Sequence, residues 1–406
     1  MCINTGLAQS FDHAQLPQPL CHSLCAAYPP SAMFEHQDIF AALNGKLPLL
    51  QKIEYVHQLL QKRFDFIDRL AVAVYEPKTD LLKTFAHSSG GDSPLTLYSA
   101  RLAHSVSLQE ILKIGRPRLV NDLDVFRDVP AEHARRIAAR QYGSSYTMPM
   151  IHNDEFFGFL FFNSLRKNVF DEICLHYVDM IGHLMALLIM QELSTLRSLL
   201  ATVKTATGIT QHRDPETGAH LDRMSNYARL IAREVAAKHQ LSDEVIEHIF
   251  MFSPLHDIGK IGIPDRILHK PSALDDQEFA TMRTHTTIGA DIIDQMLSNL
   301  GQEELPHADI LRNIARHHHE AMNGSGYAGL QGQEIPIEAR IVAVADVFDA
   351  LTSERPYKSA WSNDRAFEFL QSVSGSQFDA DCVSAMLRCR AEVEEIQRRF
   401  KEDVIG

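Results

Sequence analysis

Apolar positions along this chain change their period as the sequence advances. From about 36 to 64 they recur in the helical manner, at Ile39, Leu43, Leu49, Leu50, Ile53, Val56, Leu59 and Leu60. Pro48 splits that run, because proline has no amide donor for a continuing helix. Residues 66–165 instead show short apolar or alternating stretches. LAVAVYEP reads as a strand stopped at Pro77, and LLKTFAHSS as its hairpin-like partner, ended by GGDSP. SSYTMPMIHNDEFFGFLFFNS reads as two strands around the turn HNDE at 152–155. Between them, PAEHARRIAARQYG at 130–143 has helical character ended by Gly143. Mixed strands and helices over this length predict an α+β domain. A long helix follows from about 171 to 211, and beyond it the period stays helical almost throughout. Residues 1–35, rich in Pro, Ser, His and Cys without period, are expected to be a loose or partly docked arm.

On the long helix, Ile189, Leu193, Leu196, Leu200 and Val203 are spaced by 4, 3, 4 and 3 residues. Two readings fit. The stripe can be a coiled-coil seam that makes a dimer and transmits a signal, or one face of a helix packed on its own domain.

Length and charge narrow the function classes. At 406 residues the chain is too long for one ordinary core, so two domains are expected. The formal charge of −13 argues against a partner that is a nucleic acid, and any anionic substrate must be met by local cations or metal. Six cysteines, at 2, 21, 25, 174, 382 and 389, are too scattered for a disulfide scaffold and imply reduced thiols. Cys21, His22 and Cys25 have metal-ligand chemistry but no partner cluster, so buried small residues are the simpler reading. No basic segment followed by an apolar run opens the chain. The longest apolar run, LMALLIM at 184–190, is far short of the roughly 20 residues of a membrane span. The expectation is a cytoplasmic protein with no membrane partner.

The C-terminal half carries the candidate chemistry. Asp214 is a plausible N-cap with Pro215 at the first helical position, which puts Glu216 and His220 at i and i+4 on one face. The next helix is expected to run from LSDEV at 241–245 to His256 and Asp257, with Lys260 three places on. An unpaired buried carboxylate there would cost several kcal/mol, so Asp257 needs a cation or strong donors. His285 lies on another amphipathic helix, ARHHHEAMNGSGYAGL supplies His317, His318, His319 and Glu320, and the apolar IVAVADVFDAL contains Asp346 and Asp349. Imidazoles and carboxylates recurring on five successive helical segments point to a metal site, and this mixed donor set suits Fe, Mn, Zn or similar ions. Asp257 is suited to bridge two ions, which can share a hydroxide and clamp a phosphodiester for in-line displacement.

Two resemblances sharpen this. Over roughly 50–194, the order helix, hairpin, strand pair and long helix resembles the GAF sensor domain. NSLRKNVFDEI places Asn163, Lys167, Phe170, Asp171 and Glu172 near the cyclic-nucleotide signature of some GAF domains, but with the wrong Phe-to-Asp spacing; the acidic pair suits the start of the next helix. From about 205 to 390, HDIGKIGIPD, HHE at 318–320, NGSGYAGL and RIVAVADVFDALTSERPYK resemble the HD-GYP family of HD-domain metal phosphohydrolases. The fold so implied is an N-terminal α+β GAF-like sensor domain, 36–194 with its leading helix, joined by the connecting helix at 171–211 to an all-α HD-GYP domain at 205–400. The family resemblance implies hydrolysis of cyclic di-GMP to pGpG and GMP, with metal ligation by His256, Asp257, His285, His318, His319 and Asp346. It implies a third metal on Glu216 and His220, hence two or three divalent ions with a trinuclear iron or manganese site favoured. Asp257 and Lys260 would be catalytic, and Lys260, Tyr327, Asp349, Arg355 and Lys358 would bind substrate. Gly324, Gly326 and Tyr327 correspond to the GYP loop. Ala328 stands where the family has proline, which predicts a more mobile loop. Asn323 and Gln377 are milder departures, where aspartate and histidine are frequent. A small-molecule ligand of the GAF-like domain and a homodimer through the connecting helix complete the expected partners. The alternatives are a catalytically silent dinucleotide receptor, and an enzyme that prefers cyclic GMP-AMP.

Overall fold

The computed structural model describes residues 38–45, 47–90, 99–126, 142–209, 218–301, 303, 306–354 and 359–401. The expected arm at 1–35, the Cys21–Cys25 motif, most of the helix at 130–143, Glu216, Arg355 and Lys358 therefore lie outside the described residues. Residues 38–45 hold a single 3-10 turn at Ala41–Asn44.

The sheet forms from the alternating stretches. Its strands are β1 (Arg69–Glu76), β2 (Leu81–Ser89), β3 (Ser99–Arg101), β4 (Arg118–Val120), β5 (Ser144–His152) and β6 (Glu155–Ser164). They pair antiparallel in the order β3-β2-β1-β6-β5-β4. The β5–β6 turn puts Asn153 and Asp154 at φ 48° and 62°, the left-handed pair that a two-residue hairpin requires and that these two residue types tolerate. Helix α1 (Leu49–Arg63) begins directly after Pro48 and buries Leu49, Ile53, Val56 and Leu60. A short helix, α2 (Val106–Ile114), ends at Gly115 in a left-handed cap.

Helix α3 (Glu172–Ile209) leaves this domain. Its segment Glu172–Thr195 has the length and composition to cross a membrane, which the longest uninterrupted apolar run had not suggested. However, Cys174, Val178, Ile181, Met185, Ile189 and Leu193 are buried, as expected of a helix that covers a sheet. The seam expected to begin at Ile189 and Leu193 is thus turned inward at those two positions; the side chains of Leu196, Leu200 and Val203 lie outside the described residues. The exposed apolar stripe is another one, at Ile173, Tyr177, Met180 and Leu187.

The C-terminal region is all helical among the described residues. Its elements are α4 (Gly218–His239), α5 (Asp243–Phe252), α6 (Asp265–Leu268), α7 (Asp276–Arg283), α8 (His285–Asn299), α9 (Ala308–His317), α10 (Ile337–Thr352), α11 (Asn363–Ser372), α12 (Ala380–Arg388) and α13 (Arg390–Arg399). Tyr227, Phe252, Ile314, Phe348, Phe367 and Met386 share one core, each worth about 1.5–3 kcal/mol when buried. Sheet and helices meet through charge. Lys83 on β2 contacts Glu76 at 2.8 Å and Glu247 at 3.3 Å, and Arg229 approaches Glu76 at 3.3 Å. Both cations lie over the Phe250 ring. Burial resists ionisation of Glu76, yet Arg229 and Lys83 hold its carboxyl down at about 2.

A second buried pair fixes α10 to α12. Arg340 donates to Asp379 at 2.7 Å, while the other oxygen of Asp379 caps α12 by accepting from the amides of Asp381 and Cys382. Burial opposes ionisation of Asp379, but Arg340 and these amides keep its carboxyl below the usual carboxylate range. A depressed folded-state pKa stabilises the fold above the ordinary value, about 3.9, and that contribution is lost as pH falls through the lower folded value. Asp379→Asn leaves Arg340 without its counter-charge and is expected to cost about 3 kcal/mol at pH 7. In urea melts at descending pH, the gap to wild type should narrow below about pH 4; a constant gap would mean that charge is not what Asp379 contributes.

Candidate metal centre

Pro254 determines where the His-Asp pair sits. Helix α5, capped by the Ser242 hydroxyl, stops at Phe252, and a 3-10 turn with Pro254 at its start carries the chain to His256. His256 and Asp257 therefore project from a tight bend between two 3-10 turns, whereas the sequence pattern had placed them on the helix itself. The second turn, Ile258–Gly262, lies against the first turn of α8. A β-carbon on Gly259 would fall 1.8 Å from the carbonyl oxygen of His285, so only glycine allows the two ligand-bearing segments to approach this closely.

Seven expected ligands are described, and they form two adjacent groups. Asp257, His285, His318 and His319 make one; His220, His256 and Asp346 make the other. His285 is the first residue of α8, His318 and His319 follow the last turn of α9, and Asp346 projects from the buried helix α10. His317 belongs to neither group. The two oxygens of Asp257 face different ways. Oδ1 is 3.1 Å from His285 Nε2 and 3.5 Å from His318 Nε2, while Oδ2 is 3.2 Å from His256 Nε2. In turn, Asp346 Oδ1 is 3.8 Å from Nε2 of both His220 and His256.

Hydrogen bonding behind the rings fixes their tautomers. Nδ1 of His256, His285 and His318 donates to the carbonyls of Ser253, Met282 and Ile314, at 2.9, 2.8 and 3.0 Å. In a neutral imidazole this leaves Nε2 with a lone pair pointing inward. Nε2 of His285 and Nε2 of His318 are 3.5 Å apart and both face a carboxylate oxygen. Acceptors facing acceptors repel unless a cation lies between them. Burial, and then the neighbouring His318, pushes His319 down to about 2, so its ring stays neutral and ligand-ready. Burial resists ionisation of Asp257 as well, but Lys260 holds it ionised, well below the usual range. The donor set fits hard-to-borderline divalent ions, and the disposition of Asp257 fits a bridge between two of them.

The other expected residues are placed as follows. Lys260 Nζ rests 2.7 Å from Asp257 Oδ2. Tyr327 lies beside the site, its ring 4.7 Å from that of His319, with Arg283 4.9 Å from its face and bonded to its carbonyl. Asp349 departs from the expected substrate-lining role. It is fully buried; one oxygen meets His220 Nδ1 at 2.7 Å, and Arg223 binds both oxygens, at 2.7 and 2.9 Å. Asp349 fixes the His220 ring, and Arg223, which the sequence pattern does not single out, balances its charge. The mobile loop expected from Ala328 is also corrected. Its amide donates to Glu320 at 2.6 Å, a bond that proline could not make, and Leu330 donates to the same carboxylate at 2.9 Å. Gly326 passes so near Glu320 that a β-carbon there would lie 2.5 Å from the Glu320 Cα.

Comparison with known proteins follows this geometry. Residues 210–382 match the HD domain family. The chain's relatives include the cyclic di-GMP phosphodiesterase response regulator RpfG of Xanthomonas campestris, 46% identical over 47% of this chain and 48% of the relative. A cyclic di-GMP phosphodiesterase of Thermotoga maritima is 41% identical over 48% of this chain and 50% of its own length. The 3'3'-cGAMP-specific phosphodiesterase 2 of Vibrio cholerae is also 41% identical, over 43% of this chain and 32% of its own. The chain thus spans about half or less of the length of these relatives. Among solved structures, the phycocyanobilin-bound GAF domain of a cyanobacterial phytochrome is 20% identical with a TM-score of 0.31, over 38% of this chain and 90% of that one. A match to the HD domain implies divalent metal binding, and the two clusters described above are groups that could hold such ions.

Proposed function

We propose that the chain is a phosphodiesterase of the HD-GYP type that hydrolyses cyclic di-GMP to linear pGpG and GMP, under the control of its GAF-like sensor domain. The observation that carries this reading is the pair of ligand groups sharing Asp257, one on each of its oxygens. Similarity to relatives named for cyclic di-GMP hydrolysis supports the substrate. Iron or manganese at these groups would supply Lewis acidity and an acidified water, with a third ion on His220 and Glu216, the latter outside the described residues.

The chain's own residues bind and orient. His256, His285, His318 and His319 would present ring nitrogens, and Asp257 and Asp346 carboxylate oxygens, to the ions. Lys260, now 2.7 Å from Asp257 Oδ2, would turn its ammonium to a substrate phosphate once Asp257 helped to hold metal. Tyr327 offers a ring for a base, with Arg355 and Lys358 as further phosphate contacts. The domain limits set out from the sequence, a cytoplasmic location and a ligand in the sensor domain belong to the same proposal. So does a homodimer through α3, for which the exposed stripe at Ile173, Tyr177, Met180 and Leu187 is the better candidate face.

The test is metal analysis of anaerobically purified full-length chain together with chromatographic identification of products from cyclic di-GMP. More than one ion per chain with linear product supports the enzyme. Tight binding of cyclic di-GMP by folded, fully metallated protein without any product would replace it by a silent receptor. The Vibrio cholerae relative motivates a parallel assay on 3'3'-cGAMP; a faster rate there would change the substrate and keep the chemistry.

A further inference from the structure

A third cluster of metal-type side chains lies outside the centre described above. Glu244 and His248 stand at i and i+4 on α5, 3% and 1% exposed, and His307 is the N-cap residue of α9. One ligand atom from each lies within 4.8 Å of the others. The rings of His248 and His307 are 4.7 Å apart, and Glu244 Oε1 is 3.5 Å from His307 Nε2, longer than a well-formed hydrogen bond.

What distinguishes this cluster is that its inward-facing atoms are unsatisfied. Nε2 of His248, Nε2 of His307 and Oε1 of Glu244 are all buried without a hydrogen-bond partner. His248 Nδ1 donates to the Glu244 carbonyl at 2.7 Å, so its Nε2 carries the lone pair. Buried polar groups are nearly always satisfied, and three orphans that converge on one point call for a common partner. A proton on His307 can serve one neighbour only. A cation serves all three.

We propose that Glu244, His248 and His307 form a separate divalent-cation site of zinc-type chemistry. Two imidazole nitrogens and one carboxylate oxygen are a regular donor set for such an ion, with a fourth position left for water or another carboxylate. Glu192 on α3 lies outside this group, but the electrostatics reach it: burial, and then the charge of Glu244, pushes its carboxyl up to about 7. Burial also pushes His248 down to about 4, which keeps its ring neutral.

The position gives the site a role. Helix α5 leads through Pro254 to His256 and Asp257, and α9 ends at His318 and His319. An ion here ties together the ends of these two helices that lie away from the Asp257 centre. The ion acts as a positioning element, outside the chemistry itself.

The experiment uses the full chain carrying Asp257→Asn, so that the main centre is impaired, with and without His307→Ala. After zinc loading and gel filtration, the single variant is expected to retain about one zinc ion more per chain than the double variant, and zinc should raise its Tm by more when His307 is present. His248→Gln should reproduce the loss. Equal zinc content in folded proteins with and without His307 overturns the proposal, as does a Tm lowered by His307→Ala with no change in metal, which is the signature of a plain His307–Glu244 ion pair. Because the readout is metal content and Tm in a chain with an impaired main centre, failure here leaves the proposed hydrolase intact.

Discussion

Asp257→Asn is expected to lower cyclic di-GMP turnover by at least about 10³-fold, since charge stabilisation by a bound metal supplies several kcal/mol and each 1.36 kcal/mol is tenfold. The substitution keeps size and shape and removes one charge. That charge is the only one shared by both ligand groups among the described residues, Oδ1 facing His285 and His318 and Oδ2 facing His256. The amide that replaces one oxygen would also aim donors at nitrogens needed as ligands, or at incoming cations. Metal content should therefore fall together with turnover. Lys260→Ala is the control that separates the roles. Lys260 touches Asp257 but has no ligand chemistry, so its loss should leave metal content near wild type while turnover drops. Wild-type turnover in metal-replete Asp257→Asn would remove this carboxylate from the reaction.

How much of this was legible beforehand depended on the range of the interaction. Local rules sufficed for the hairpin at 152–155, where Asn153 and Asp154 take positive φ, and for β1, which stops at the residue before Pro77. Strands β3 and β4 have three residues each, too few for any period to register. The ligand types were legible because charge and imidazole in an apolar helix have few structural uses. Their grouping was not, since His220, His256 and Asp346 meet only in three dimensions. Turn geometry misled once, when Pro254 ended a helix that the apolar pattern carried on to Asp257. Pairwise compensation misled once, since Ala328 reads as a lost constraint until Glu320 accepts its amide. At Ile189 the stripe left a seam and packing on its own domain both open, and burial favours the second there. The cluster at Glu244, His248 and His307 gave only an i, i+4 hint, because His307 arrives from 59 positions beyond His248.

The second large effect is expected at Asp349. Its side chain is 0% exposed, and the partner that neutralises it, Arg223, is only 7% exposed. Removing one member of a buried ion pair strands the other charge, so Asp349→Ala should destabilise the fold by about 3–5 kcal/mol in a urea melt. Arg223 keeps Ser353 Oγ and the Phe400 carbonyl as acceptors, which places the expected cost toward the lower end. A functional loss should accompany it. With Asp349 Oδ2 gone, His220 Nδ1 loses the acceptor that fixes its ring, and such outer partners typically govern 10–100-fold in metal affinity. Stability and metal binding can be separated by replacing the pair together. Arg223→Met with Asp349→Leu removes both charges, so most of the stability should return, as it does when buried ion pairs are exchanged for apolar groups. Affinity at His220 should stay low, because no acceptor has been restored. If the double variant instead recovers its metal, orientation of His220 does not depend on Asp349. If Asp349→Ala changes neither melt nor metal but weakens cyclic di-GMP binding, the residue returns to the substrate pocket where its sequence motif had first placed it.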